Sequence, residues 1–221
     1  MSDKNLTLKK AFALGVKSYE NNNLQNAQNY YQRVLEIDPN YAQAHNNLGV
    51  IFTTLEKNQK AKDCYEKAIE IDPNYAYAHN NLGRIFKTLG ENQKAKDCYE
   101  KAIEIDPNYV DAYNNLGLLC LVLEENQKSI RCFEKIIEIN PNHIPANKSL
   151  EFIRDRQKIL SEIEKNKKFK NENKISFVKK IFKKLTRSDL RLNKNPFISY
   201  REVKQELIDC LYKLNNKSFS E

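Results

Sequence analysis

The sequence contains no tryptophan, and only five glycines and six prolines occur among its 221 residues. So few chain-breaking residues argue against a loop-rich all-β fold, a collagen-like chain or a flexible linker. No run of about 18 apolar residues occurs, so a membrane-spanning helix is not expected. The N-terminus lacks a basic region followed by an apolar stretch, so no signal peptide is predicted. A content of 40% hydrophobic residues nevertheless predicts folded structure rather than wholesale disorder.

Motifs for catalysis and metal binding are also missing. The sequence has no GxGxxG, phosphate-binding loop, CxxC, HExxH or nucleophile-elbow pattern. Its five cysteines show no close pairing, which favours a reducing compartment, and a cytoplasmic location is expected. The sequence therefore predicts a protein that is not an enzyme and that carries no cofactor and no metal.

Charge divides the chain into two parts. Residues 1–143 hold 17 Lys or Arg and 19 Asp or Glu, whereas residues 144–221 hold 20 and 10, respectively. The overall charge of +8 therefore belongs to the C-terminal part alone. Because the N-terminal part is slightly acidic, nucleic acid is the least favoured partner.

The N-terminal part contains four repeats of 34 residues, each ending in an Asp-Pro-Asn or Asn-Pro-Asn phrase. Apolar residues follow a helical rhythm twice in each repeat, and the proline stops the second helix. Each unit thus predicts a helix–turn–helix hairpin, and Asn58, Asn92 and Asn126 are expected to cap the second helices. The repeat boundaries are 8–41, 42–75, 76–109 and 110–143.

These repeats resemble the tetratricopeptide repeat family. The matching features are a Leu-Gly pair in the first helix, a small residue and then an aromatic in the second helix, and the closing proline. The glycines are Gly15, Gly49, Gly83 and Gly117; the aromatics are Tyr31, Tyr65, Tyr99 and Phe133. The turn between helices, where the family often has Gly, holds Asn22, Glu56, Gly90 and Glu124. The resemblance implies an all-α, right-handed superhelical solenoid of antiparallel helix pairs, with a concave groove that binds peptides.

The rest of the chain is predicted to be helical as well. Residues 144–165 read as one long capping helix, followed by a basic linker and amphipathic helices at about 175–187 and 199–214. The first of these carries Lys179, Lys180, Lys183 and Lys184 opposite an apolar stripe. Such a helix could contact an anionic membrane, a partner or phosphates, or it could pack on the capping helix. The sequence leaves these alternatives open, and the oligomeric state also.

Repeats 2 and 3 agree at 29 of 34 positions. Three of the five differences share one face of the first helix, where Gln43, Val50 and Thr53 become Tyr77, Arg84 and Lys87. By resemblance, this face lines the groove. Repeat 1 offers Phe12, Val16 and Tyr19 to this groove, and repeat 4 offers Asp111, Leu118 and Leu121. A peptide with an acidic residue between apolar ones would suit this surface.

Paired asparagines precede the Leu-Gly pairs of repeats 2 to 4. They are Asn46 and Asn47, Asn80 and Asn81, and Asn114 and Asn115. The second member of each pair is similar to the asparagine ladder of O-linked N-acetylglucosamine transferases. Because an amide side chain both donates and accepts hydrogen bonds, the resemblance implies that these residues grip a peptide main chain.

The function predicted from these features is a non-enzymatic protein-interaction scaffold that holds a peptide in the groove. Two alternatives remain: the substrate-recruiting part of a split or truncated transferase, and a peripheral membrane adaptor. Two further sets of residues recur at equivalent repeat positions: the histidines His45 and His79, and the cysteines Cys64, Cys98 and Cys132. Equivalent atoms of stacked repeats are about 10 Å apart, which predicts packing roles rather than a metal site.

Overall fold

The computed structural model describes residues 3–165, and within that range it contains α-helices and no strand. The sequence prediction of an all-α repeat fold is therefore confirmed for these residues. The helices are α1 (Asp3–Glu20), α2 (Leu24–Ile37), α3 (Ala42–Thr54), α4 (Asn58–Ile71), α5 (Ala76–Thr88), α6 (Asn92–Ile105), α7 (Val110–Val122), α8 (Asn126–Ile139) and α9 (Ile144–Lys165).

The chain divides into two compact units, and the boundary falls inside α7, between Leu116 and Gly117. In the first unit the helices pack as consecutive hairpins: α1 with α2, α3 with α4, and α5 with α6. Each hairpin also packs against the next, through α2 with α3 and α4 with α5. This arrangement buries the apolar stripe of every helix against a neighbour, as a repeat array requires.

Within each hairpin, a glycine lets the two helices approach closely. A Cβ atom built on Gly49 would lie 2.5 Å from Cε1 of Tyr65, and one on Gly83 would lie 2.6 Å from Cε1 of Tyr99. Both tyrosine rings are fully buried. The predicted pairing of the Leu-Gly glycine with the second-helix aromatic is thus confirmed, since only a residue without a side chain fits against that ring.

The turn inside each hairpin requires a left-handed backbone. The φ angle is 57° at Asn22, 57° at Glu56, 81° at Gly90 and 64° at Glu124. Glycine adopts this conformation freely, whereas a residue with a Cβ is strained there by about 1–2 kcal/mol. Glu56 and Glu124 therefore carry a backbone strain that Gly90 avoids.

The predicted helix caps are wrong by one residue. Asn58, Asn92 and Asn126 are the first residues of α4, α6 and α8, and the caps are Lys57, Glu91 and Glu125, which make no side-chain cap hydrogen bond. Asn23, which precedes α2, does cap its helix by accepting a hydrogen bond from the backbone N–H of Asn26 at 3.1 Å. In each of these turns one residue separates the left-handed turn residue from the helix, and that residue is the cap. The repeated asparagines follow it by one position and therefore do not indicate the cap.

The second unit begins at Gly117 and comprises the end of α7 together with α8 and α9. Helices α8 and α9 pack against each other, and Phe133, Ile136 and Ile153 are fully buried there. Helix α9 covers the residues for which the sequence predicts a capping helix, although its capping role stays a prediction. No helix in the described range is long and apolar enough to cross a membrane.

Candidate functional site

The first-helix positions at which repeats 2 and 3 differ all lie outside the buried core. Tyr77 and Arg84 are exposed and Lys87 is half-buried. We call these three residues the α5 face. Because their repeat-2 counterparts on α3 are also exposed or half-buried, the substitutions change the surface of the array and leave its packing intact.

Tyr77 gives the α5 face an anchored aromatic surface. Its side chain is 57% exposed, yet its ring centroid lies 6.0 Å from that of Tyr75 and 5.0 Å from that of Tyr109. Tilted ring pairs at these distances are attractive. The neighbouring tyrosines therefore hold Tyr77 in place while leaving much of its ring open to an apolar group of a ligand.

Arg84 and Lys87 give the α5 face its charge. In the described part of the chain neither side chain forms an ion pair or a hydrogen bond. Burial lowers the pKa of Lys87, and the positive charge of Arg84 lowers it further. Burial raises the pKa of Tyr65, Tyr99 and Tyr109, and Arg84 opposes that rise at all three. The guanidinium therefore lies near tyrosine hydroxyls and a second cation, and neither cation forms an ion pair with a described residue, although the charge of Asp111 also acts on the Tyr109 hydroxyl.

The exchange of Thr53 for Lys87 also changes a buried hydroxyl beneath the surface. In repeat 2 the Thr53 Oγ1 and Tyr65 Oη atoms are hydrogen-bonded at 3.0 Å. In repeat 3 the equivalent Tyr99 Oη is buried and has no hydrogen-bond partner. Comparing the repeats as single helices does not reveal this difference. Thr53 and Tyr65 are twelve residues apart in sequence, and their side chains meet only because the two helices fold back on each other as a hairpin.

The asparagine pairs form hydrogen bonds between repeats. Nδ2 of Asn81 donates to Oδ1 of Asn46 at 3.1 Å, and Nδ2 of Asn115 donates to Oδ1 of Asn80 at 2.9 Å. Asn80 in turn donates to the Tyr109 hydroxyl at 3.3 Å. Asn46 and Asn80 are buried. The first asparagine of a pair therefore links one repeat to the next, which is a structural role that the sequence pattern alone does not predict.

The second asparagine of each pair is less buried. Asn47, Asn81 and Asn115 are half-buried, and the Oδ1 atoms of Asn81 and Asn115 accept no hydrogen bond from the described residues. A peptide N–H could therefore bind these two oxygen atoms. The Oδ1 atom of Asn47 differs from these two, because it already accepts a hydrogen bond from Nδ2 of Asn46 at 3.2 Å.

Repeat 1 contributes less surface than the sequence predicts. Phe12 and Val16 pack against the buried core of the first unit, and the Phe12 ring lies 5.6 Å from that of Tyr31 and 5.2 Å from that of Tyr41. Tyr19, at 38% exposure, is the more accessible of the predicted groove residues there. Phe12 and Val16 are thus partly buried, and their role in a groove stays a prediction.

The predicted groove residues of repeat 4 all lie on α7. Asp111 is exposed, and Asn114 and Asn115 are half-buried. Leu118 belongs to the second unit and is half-buried. The prediction for Leu121 is wrong, because its side chain is only 6% exposed and belongs to the core.

The repeated histidines and cysteines have local packing roles. Ring Nε2 of His45 lies 3.0 Å from the carbonyl oxygen of Pro39, and His79 has the same contact with Pro73. Burial raises the pKa of the Cys64 and Cys98 thiols to about 11.

No group of three or more metal-ligating side chains occurs among residues that the structure describes. The predicted contact residues Lys179, Lys180, Lys183 and Lys184 lie outside those residues.

Comparison with known families agrees with this geometry of paired helices. A model described as tetratricopeptide repeat matches residues 42–75, 76–109 and 110–143, and one described as TPR repeat matches residues 17–55. Together they cover more than half of the chain. The molecule is thus a helical-hairpin repeat protein, and the chain belongs to the tetratricopeptide repeat family. The family resemblance predicted from the sequence is confirmed.

Solved structures show the same fold. A crystal structure of MamA protein is 29% identical, covers 67% of this chain and 81% of its own, and has a TM-score of 0.59. The O-GlcNAc transferase of Thermobaculum terrenum, a K341M mutant, is 20% identical over 60% of this chain and 26% of its own, with a TM-score of 0.57. The first TPR of Spaghetti (RPAP3), bound to the HSP90 peptide SRMEEVD, is 23% identical over 52% of this chain and 90% of its own, with a TM-score of 0.50. No curated protein sequence matches the chain.

Proposed function

We propose that this protein is a non-enzymatic interaction scaffold that binds a peptide segment of a partner protein across the α5 face. The observation that carries the proposal is the pair of cations Arg84 and Lys87, which have no acidic partner in the described range and lie on the same face as the exposed ring of Tyr77. A half-buried cation without a counter-ion is costly to the free protein. A ligand carboxylate would therefore bind beside Arg84 and Lys87 and supply the missing negative charge.

The chemistry of the face specifies the kind of peptide. An acidic residue would lie beside Arg84 and Lys87 and make charge-assisted hydrogen bonds, each worth about 1.5–3 kcal/mol. An apolar neighbour of that residue would contact the Tyr77 ring. Backbone N–H groups of the peptide would donate to the Oδ1 atoms of Asn81 and Asn115, which fixes the peptide without reading its sequence.

The origin of the repeats supports a role for this face in recognition. The second helices α4 and α6 are identical in sequence, so exposed positions on them have not diverged. The differences outside the turn fall on the first helix alone, and they convert a neutral face into a basic aromatic one. Random change of exposed positions would be expected to affect both helices, so the confinement of the three differences to the first helix supports selection on that face.

Selection from a random peptide library displayed on phage tests the proposal. The full-length protein should enrich peptides with an Asp or Glu next to apolar residues. The double variant Arg84→Val, Lys87→Thr, which carries the repeat-2 residues, should not enrich the acidic residue. Equal enrichment of acidic peptides by the two proteins would contradict the proposal.

Two other functions inferred from the sequence stay predictions. A transferase-recruiting role predicts a separate catalytic protein that co-purifies with the chain. A membrane-adaptor role predicts co-sedimentation with anionic liposomes, lost when lysines 179, 180, 183 and 184 are changed to glutamate.

A further inference from the structure

The two central hairpins act as a natural pair of variants. Helices α4 and α6 have the same sequence, and α3 and α5 differ at three positions. The hairpins also differ at two turn positions and in the repeats beside them, but the residue hydrogen-bonded to the Tyr65 hydroxyl, Thr53, occupies one of the three positions. Both rings are almost completely buried and both contact the glycine of the facing helix.

The hydroxyl groups of the two tyrosines have different environments. Tyr65 Oη is hydrogen-bonded to Thr53 Oγ1 at 3.0 Å, and Thr53 Oγ1 itself donates to the Gly49 carbonyl oxygen at 2.9 Å. In repeat 3 a lysine replaces the threonine, and Tyr99 Oη is buried without a hydrogen-bond partner. A buried hydroxyl that makes no hydrogen bond destabilises the free protein.

Two positive charges lie at the same place. Arg84 and Lys87 occupy successive turns of α5, and the positive charge of Arg84 acts on both the Lys87 ammonium and the Tyr99 hydroxyl. Tyr99 Oη, Lys87 and Arg84 are all hydrogen-bond donors. The three groups therefore combine two positive charges with one buried, neutral hydrogen-bond donor. Within residues 3–165, no acidic side chain forms an ion pair with Arg84 or Lys87.

We propose that Arg84, Lys87 and the Tyr99 hydroxyl form an oxyanion pocket that accepts one carboxylate or phosphoryl group from the partner peptide. One ligand oxygen would accept from Tyr99 Oη and so play the part that Thr53 Oγ1 plays in repeat 2. The remaining oxygen atoms would accept from Arg84 and Lys87. The proposal rests on the proposed function and names the chemical group that the α5 face recognises.

Access to the hydroxyl depends on Lys87. Lys87 is half-buried and occupies the α5 position equivalent to Thr53, the partner of the Tyr65 hydroxyl in repeat 2. Its flexible side chain can move aside while its ammonium stays bonded to the ligand. The pocket donates hydrogen bonds from three groups, whereas the equivalent first-helix positions of repeat 2, Val50 and Thr53, carry no charge. Repeat 3 is therefore the place in the first unit where an oxyanion gains both charge and a buried hydrogen bond.

The test uses the full-length protein and free anions as probes. The signal of the Arg84 Nε–H group is followed by NMR while inorganic phosphate or acetate is added at constant ionic strength. Tyr99→Phe removes one hydroxyl from a site where it makes no hydrogen bond, so the variant should fold at least as well as the wild-type protein. Tyr65→Phe is the matched control, because it removes the equivalent hydroxyl one repeat earlier.

We expect saturable binding to the wild-type protein, with Tyr99→Phe weakening it about tenfold, as expected for a lost hydrogen bond to a charged group. Tyr65→Phe should leave the Kd within about twofold, because the Tyr65 hydroxyl is already hydrogen-bonded to Thr53 and is not needed by the anion, although the charge of Arg84 acts on it as well. Tighter binding of phosphate than acetate would identify a phosphoryl ligand, and the reverse a carboxylate. Equal affinities of Tyr99→Phe and wild type, or no saturable binding, would overturn the pocket. Either result would leave the peptide selection with the Arg84→Val, Lys87→Thr variant as a separate test of the proposed function.

Discussion

Asn81 on α5 donates its side-chain amide to Oδ1 of Asn46 on α3 at 3.1 Å, across 35 residues of sequence. The acceptor is buried and the donor is half-buried. This hydrogen bond joins repeat 2 to repeat 3 through their first helices, and Asn115 and Asn80 repeat it one unit later at 2.9 Å. The asparagine pairs therefore stabilise the array whether or not the second member of each pair also binds a ligand.

Asn46→Ala is expected to destabilise the protein by about 1–3 kcal/mol, because Nδ2 of Asn81 loses its acceptor in a partly buried place. Urea unfolding of the single variants and of the Asn46→Ala, Asn81→Ala double variant gives the coupling energy of the pair. A coupling of about 0.5 kcal/mol or more is expected for residues in direct contact. Strictly additive effects would show that the bond does not connect the repeats.

Gly83→Ala is expected to destabilise the protein by about 1–3 kcal/mol, the usual cost of overpacking a core. The added Cβ would lie 2.6 Å from the Tyr99 ring and 3.1 Å from the carbonyl oxygen of Ala95, which cannot move easily. Gly117→Ala is the comparison, because its closest contact is looser, at 3.0 Å from Phe133. If thermal melts show Gly117→Ala to be the more damaging change, the helix crossing in repeat 3 is not as close as described.

Glu56→Gly is expected to raise the free energy of unfolding by about 1 kcal/mol, because φ is 57° at this residue and glycine relieves the strain. The reverse change, Gly90→Glu, should lower it by a similar amount at the equivalent turn of repeat 3. Chemical denaturation measures both. Effects of the same sign in the two variants would contradict a purely conformational cause.

Much of the first unit could be predicted from the sequence because its rules are local and periodic. The proline spacing gives the repeats, and the facing glycine and aromatic predict the close helix crossing. The left-handed turns were also predictable, since glutamate occupies the place where a related repeat has glycine. The repeat boundaries, helix crossings and turns are set by backbone conformation, which is the same in each 34-residue repeat.

Contacts between hairpins were harder to predict. The positions of Asn46 and Asn81 suggest surface residues, and only the packing of α3 beside α5 shows that they bond to each other. Phe12 and Leu121 were assigned to the groove from their helix faces and the family resemblance, yet Leu121 is buried in the core and Phe12 is partly buried against it. A 3.6-residue period defines faces of a single helix, whereas each first helix here contacts neighbours on more than one side.

The residues of the first and third repeats predict that the protein does not bind the EEVD-type tail of heat-shock proteins tightly, although Asn47 in the second repeat matches the family's clamp. Tetratricopeptide domains that bind such tails clamp the terminal carboxylate with Lys and Asn in the first repeat and Lys and Arg in the third. The corresponding residues here are Phe12, Val16, Tyr77 and Asn81, and Phe12 and Val16 pack against the core. Calorimetry with an EEVD peptide should show no tight binding, because the residues that would clamp its terminal carboxylate are absent, and a micromolar complex would contradict this prediction.

The most direct measurement is the Kd of the best acidic peptide from the library selection, compared between the wild-type protein and Arg84→Val, Lys87→Thr. The control variant Lys67→Thr, Lys101→Thr removes the same charge from the second helices α4 and α6. If the α5 face binds the acidic residue, the first variant should lose at least about tenfold in affinity and show a weaker salt dependence, with its melting temperature retained. The control should bind almost as tightly as the wild type. An equal loss in both variants, or no loss in either, would show that Arg84 and Lys87 are not the binding site.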